Sequence, residues 1–172
     1  MRNSYKDFPH SKYFLYTQTM RFEHLIEIND PKVPFLKLLS REQLWLGLLK
    51  HIEDCTESVE GVESCTIVRQ EDNLYEREIV IGGLVLRDKV ILTPIENITI
   101  LISKDTKQPG GTKIITIEEP EHNRLFLRFT YERTDVSAGH DYVDTTAYLK
   151  MAYQQADIFL VRWIRSLYEL DM

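Results

Sequence analysis

A pair of glycines indicates where this chain could carry chemistry. With Gly82-Gly83 as a two-residue hairpin turn, Ile81 faces Leu84, and every opposed pair in the flanking strands follows from that register. Glu78 then lies across from Arg87 and Glu76 from Lys89 on one face, opposite-charge pairs worth about 0.2 to 1 kcal/mol each. On the other face Tyr75 meets Val90, Ile79 meets Leu86, and Arg77 meets Asp88. Arg77 and Asp88 therefore stand among apolar neighbours. A charge buried alone there is costly, so each must be the other's counter-ion or border a wet cavity. Two roles stay open: a self-satisfied internal ion pair, or a polar anchor for a ligand carboxylate, phenolate or carbonyl, which the arginine fork suits.

The same alternation brings other polar groups inward. His24 shares a face with Phe22 and Ile26, and Tyr131 follows Leu125, Leu127 and Phe129. A histidine on an apolar face is more often a hydrogen-bonded core residue than a catalyst. Tyr75 and Tyr131 read as cavity lining, each with a hydroxyl that needs a partner. Ala152 and Ala156 are the small residues of a C-terminal helix, marking either close helix-to-sheet approach or a gap over a cavity.

The elements that must position these residues are legible from their periods. Phe22, His24, Ile26 and Ile28 alternate with Arg21, Glu23 and Glu27, as in a half-buried strand that stops at Asn29-Asp30-Pro31. Ser40-Arg41-Glu42-Gln43 fits a capping box, and Leu44, Leu48 and Ile52 continue one helical face to about Asp54. A short helical turn near Ser58 would end at Gly61. Six more strands are expected at 62–69, 74–81, 84–92, 97–103, 112–118 and 125–133, with short turn-like separators that favour an antiparallel meander. A long helix from about Tyr142 to Leu170 closes the chain. Its apolar stripe is read as Leu149, Ala152, Ala156, Phe159, Trp163, Leu167 and Leu170, opposite Lys150, Gln154, Asp157, Arg165 and Glu169. The fold class is thus α+β: a seven-stranded antiparallel sheet wrapped around a long C-terminal helix, with a shorter helix after the first strand. Residues 1–19 lack a sustained period and read as an extension, poorly ordered or docked, ahead of a domain over 20–172. Met20 is a candidate initiator.

Composition excludes several classes. A chain of 172 residues, 43% hydrophobic and 28% charged, suits one globular domain with a single core. The net charge of −6 and the lack of a basic run argue against nucleic acid. There is no apolar stretch of the roughly 20 residues a membrane span needs and no apolar leader, so a cytoplasmic location is expected. Cys55 and Cys65 have neither CxxC spacing nor a histidine cluster beside them, which points to reduced thiols and no metal. Nucleophile elbow, P-loop, dinucleotide fingerprint and HExxH are all missing, and no cofactor is expected.

The order strand, helix, six-strand meander, long helix resembles the START-like, birch-pollen-allergen-like superfamily, also called SRPBCC. The segments LSREQLWLGL, LYEREIVIGG, LRDKVILTP, RLFLRFTYE and ADIFLVRWIRSLYE are more closely similar to its AtaL-like subfamily. That resemblance runs from Met20 to near the C-terminus and implies a helix-grip cup with a hydrophobic cavity between sheet and last helix. It also implies that some relatives handle small aromatic or polycyclic, polyketide-like compounds.

The leading expectation is a non-covalent binder or carrier of a small, largely apolar molecule, anchored by Arg77 with Asp88, Tyr75, Tyr131 and His24. The alternative is an enzyme of small-molecule metabolism using the same cluster, with Arg77 stabilising an oxyanion or enolate and His24 or Asp88 as general base. A weaker third reading is a protein-interaction module. Oligomeric state has no signature in the sequence.

Overall fold

The computed structural model describes residues 16–104, 109–137 and 146–169. Seven strands and two helices follow in order: β1 (Tyr16–Glu27), α1 (Arg41–Glu53), β2 (Val62–Glu71), β3 (Leu74–Ile81), β4 (Leu84–Thr93), β5 (Asn97–Ile102), β6 (Gly111–Glu121), β7 (Arg124–Ser137) and α2 (Thr146–Glu169). The strands form one antiparallel sheet in the order β1-β7-β6-β5-β4-β3-β2, so the first strand pairs with the last and the remainder is a meander. This is the expected helix-grip arrangement. β1 starts at Tyr16, four residues before the boundary placed at Met20, because its pairing with β7 continues through Tyr16 and Ser137. Residues 1–15, where most of the expected extension falls, lie outside the described residues, as do 138–145 and Leu170 at the two ends expected for the last helix.

Local chemistry accounts for the elements that matter to the site. The Ser40 hydroxyl accepts from the Gln43 N–H while the Gln43 side chain accepts from the Ser40 N–H, a complete capping box at the start of α1. Gly82 and Gly83 both take positive φ, 56° and 74°, the conformation of a primed two-residue turn that other residues resist. The hairpin register is the expected one throughout, with Arg77 opposite Asp88, Glu78 opposite Arg87 and Glu76 opposite Lys89. Near Ser58 the chain makes turns and no helix, ending at Gly61 with φ of 82°.

Leu44, Leu48 and Ile52 of α1 join Val90, Ile98, Ile115, Leu127 and Phe129 of the sheet and Leu160 and Ile164 of α2 in one core. The two helices approach so closely that a Cβ on Gly47 would lie 2.6 Å from Ile164 Cγ2. Beyond Ile164, Arg165 donates to the carbonyls of Ile28 and Lys37, and the Tyr168 hydroxyl donates to the Gln43 carbonyl at 2.8 Å. The C-terminal half of α2 is thereby tied to α1 and to the loop before it.

The face α2 turns to the sheet differs from the expected stripe. Asp157, Leu160, Val161 and Ile164 are its buried residues, with Tyr153, Trp163 and Tyr168 packed partly against the core, whereas Ala152, Ala156 and Phe159 are exposed. The helix is rotated by about one residue's step, roughly 100°, from the orientation that its apolar pattern favours. Asp157, assigned to the solvent side, is fully buried. Burial of a carboxylate on that scale requires donors, and the sheet supplies them.

Candidate functional site

Between strands β2 to β7, the loop after α1 and the middle of α2 lies a cavity of about 780 Å³, within the usual range for small-molecule pockets. Aliphatic side chains such as Ile79, Leu86, Ile100 and Leu160 form much of its wall. Ala152, Ala156 and Phe159 border the cavity and are also exposed, which marks where it opens beside α2. Three buried polar groups meet its wall or stand behind it.

The first is the pair read from the hairpin. Arg77 Nε donates to Asp88 Oδ1 at 2.9 Å and Nη2 to Oδ2 at 2.7 Å, a bidentate fork, while Nη1 donates to the Ile52 carbonyl at 3.0 Å. The pair is nearly closed to solvent, with side-chain exposures of 3% and 9%. Burial alone would lower the Arg77 pKa, but the hydrogen bonds and charge of Asp88 outweigh it, so the guanidinium is held more firmly charged than usual. Arg77 also ties β3 to the C-terminal turn of α1, where a cation suits the exposed carbonyls.

The second group was only half visible in the sequence. Asp157 Oδ1 lies 2.8 Å from Lys113 Nζ and Oδ2 lies 2.8 Å from His24 Nε2, with the Tyr131 hydroxyl 2.8 and 2.7 Å from the two oxygens. These donors come from β1, β6 and β7, where Lys113 opposes Tyr131, Phe22 opposes Tyr131 and His24 opposes Phe129. Burial pushes the Asp157 carboxyl up, but the Lys113 charge and the bonds from His24, Lys113 and Tyr131 overcome it and hold the group below the usual carboxylate range. Tyr131 is driven far up by burial and by the Asp157 charge, so it remains a neutral donor. Its ring stacks on Tyr153 at 4.2 Å and 4°, and Lys113 Nζ sits 5.2 and 5.3 Å from the Tyr131 and Phe129 ring centres, a cation–π contact. His24 is stacked with Phe22 and with Phe129. Inward parity with Ile115 and Ile117 on β6 would have placed Lys113 beside His24 and Tyr131. Asp157 had no such signal, because helical amphipathicity assigns a charge to solvent.

The third group comes from α1 and the turns after it. His51 Nδ1 is 2.6 Å from Ser58 Oγ, and both residues are buried and line the cavity. Burial first, then the positive charges of Lys113 and Arg77, lower the His51 pKa to about 3, so its imidazole is neutral. Neither residue was singled out in the sequence.

The sequence-derived site residues are thus divided. Arg77, Asp88, Tyr131, Ala152 and Ala156 border the cavity. His24 stands behind it on Asp157, and Tyr75 is buried with its hydroxyl accepting from Gln70 at 3.1 Å, outside the cavity wall. Cys55 is buried at the cavity and Cys65 lies half-buried on β2, both as free thiols. No group of three or more His, Cys, Asp or Glu among the described residues could hold a metal ion, and none of the described helices is long and apolar enough to cross a membrane.

Residues 26–170 match the family model described as acetylaranotin biosynthesis cluster protein L, AtaL. The chain belongs to the AtaL family. None of the curated proteins matches it in sequence. Solved structures share the fold at low identity. The Zhui aromatase/cyclase from Streptomyces sp. R1128 is 11% identical with a TM-score of 0.64, covering 88% of this chain and 94% of that one. The di-domain aromatase/cyclase StfQ of the steffimycin pathway is 13% identical with a TM-score of 0.67, covering 86% of this chain and 50% of StfQ, so the AtaL-family chain spans half of that protein. Ara h 8.0201 is 11% identical with a TM-score of 0.62, covering 87% of this chain and 99% of that one. The AtaL-family chain therefore shares its helix-grip fold with these proteins.

Proposed function

We propose that this AtaL-family protein binds one small, largely apolar molecule with an aromatic body in the cavity beneath α2, as a carrier or binder. The observation that carries this reading is a cavity of about 780 Å³ whose buried charges are already paired, Arg77 with Asp88 and Lys113 with Asp157. Apart from Glu60 and Arg162, which are exposed, such a wall holds little uncompensated charge for an ionic ligand. It offers aliphatic area for affinity and a few polar edges for orientation. The stacked rings of Tyr131 and Tyr153, both in the wall, add aromatic surface that suits an aromatic guest. Two fold neighbours are aromatase/cyclases, which is consistent with a ligand of that shape on fold-level analogy. The binder reading is preferred to an enzymatic one because the Arg77 fork, the element best suited to steady an oxyanion, is occupied by Asp88 and the Ile52 carbonyl. Native mass spectrometry of freshly purified protein is the test. A retained small molecule of apolar, aromatic composition is the expected result; protein that carries nothing and takes up no apolar aromatic probe would refute the reading.

A further inference from the structure

His51 has one hydrogen-bonding atom that the protein leaves over. Its Nδ1 is engaged by Ser58 at 2.6 Å, while Nε2 has no partner among the described residues. Among the described residues, Arg124 Nε is the buried side-chain polar atom that is both unpartnered and fully shut away. His51 Nε2 is therefore not sealed in packing, and the residue, only 6% exposed, lines the cavity. An unpartnered polar atom at the wall of a cavity loses a hydrogen bond unless a guest or water supplies one.

The chemistry of the pair limits what that guest offers. Burial above all, with the charges of Lys113 and Arg77 added, keeps the imidazole uncharged, so it cannot serve as a cationic anchor for an anion. A serine hydroxyl both donates and accepts, so Ser58 can satisfy Nδ1 in either tautomer, leaving Nε2 free to accept from a hydroxyl or to donate to a carbonyl. We propose that His51 Nε2, oriented by Ser58, is the ligand-reading atom of the cavity and takes a hydrogen bond from an uncharged hydroxyl, or gives one to a ketone oxygen, of an aromatic ligand. This rests on the binder reading above and adds the oxygen that the apolar guest must carry. His51 is held by the C-terminal turn of α1 and Ser58 by the turn before Gly61, so recognition depends on a segment outside the sheet and α2.

Naphthalene and 2-naphthol, which differ by one hydroxyl, separate the contributions. Titrated into the full-length protein at pH 7 and followed by fluorescence, 2-naphthol should bind about fivefold more tightly than naphthalene, the effect of one neutral hydrogen bond. His51→Phe should abolish that preference, bringing the ratio of the two affinities to about one whatever happens to naphthalene affinity itself, and Ser58→Ala should reduce the preference. In wild-type protein labelled with 15N-histidine, 2-naphthol should move the His51 Nε2 resonance and naphthalene should not, a readout that does not depend on a variant folding. A preference that survives in His51→Phe, no preference in the wild type, or an unmoved Nε2 resonance would each overturn the assignment and leave cavity binding standing. Failure of both probes to bind would overturn the binder reading and this assignment with it.

Discussion

Lys113 and Asp157 stand 44 residues apart in the chain and meet at 2.8 Å, the ammonium on the interior strand β6 against a fully buried carboxylate on α2. With Tyr131 and His24 on the same carboxylate, this contact fixes the rotation of the long helix over the sheet. It turns Asp157 inward and moves Ala152 and Ala156 to the cavity opening.

If that ionic group sets the helix orientation, Asp157→Leu should destabilise the fold by about 3 to 5 kcal/mol, because Lys113 loses its counter-ion in a buried site. The double variant Asp157→Leu/Lys113→Met should recover much of the loss. Urea denaturation of the singles and the double gives the coupling energy, and an additive double variant would show that the two residues do not act together.

The Arg77 and Asp88 pair is expected to behave as an internal fork. Arg77→Met should cost about 3 to 5 kcal/mol, since it strands Asp88 and leaves the Ile52 carbonyl without its donor. Replacing the exposed partners Glu78 and Arg87 together should change stability by less than about 1 kcal/mol. Parallel denaturant melts provide the comparison.

Acid should act through His51. Its folded pKa lies near 3, below the ordinary value of 6.5, so the unfolded chain binds a proton that the folded chain refuses between those values. This contribution to stability is fully present above about pH 6.5 and falls as pH drops towards 3, by about 3 kcal/mol at pH 4.5. Asp157, also depressed, adds its loss only below the ordinary carboxylate range. Denaturation of wild type and His51→Gln at pH 7 and 4.5 should show a smaller acid loss in the variant.

Gly47 should resist even one added methyl group. Its Cβ would fall 2.6 Å from Ile164 Cγ2 and 3.1 Å from Cγ1, inside the α1–α2 contact, so the helices or the isoleucine must shift. Overpacking of this kind costs about 1 to 3 kcal/mol, more than the gain in helix propensity from glycine to alanine. A lower thermal midpoint for Gly47→Ala is expected.

Ala156 offers the opposite test. It is exposed at the cavity opening, so Ala156→Leu should leave stability within about 1 kcal/mol of wild type while weakening uptake of an apolar fluorescent dye. Marked destabilisation with unchanged uptake would mean that the position is packed.

The sequence by itself determined the seven strands, the two helices and the register of the hairpin at Gly82-Gly83. Period-2 alternation marked the strands, Ser40 and Gln43 marked the start of α1, and Gly82-Gly83 fixed the pairing that brings Arg77 to Asp88. These signals are local: a cap or a two-residue turn involves atoms a few residues apart, and parity along a strand then propagates the register. Only the tertiary structure decided which way α2 faces. Amphipathicity weighs each side chain against water, and by that measure Asp157 belongs outside. Its burial is favourable only because Lys113, Tyr131 and His24, from three strands remote in sequence, converge on one point and replace the water that it loses. The His51 and Ser58 pair was hidden for the same reason, since its unmet hydrogen bond exists only once the sheet and α2 enclose a cavity around it.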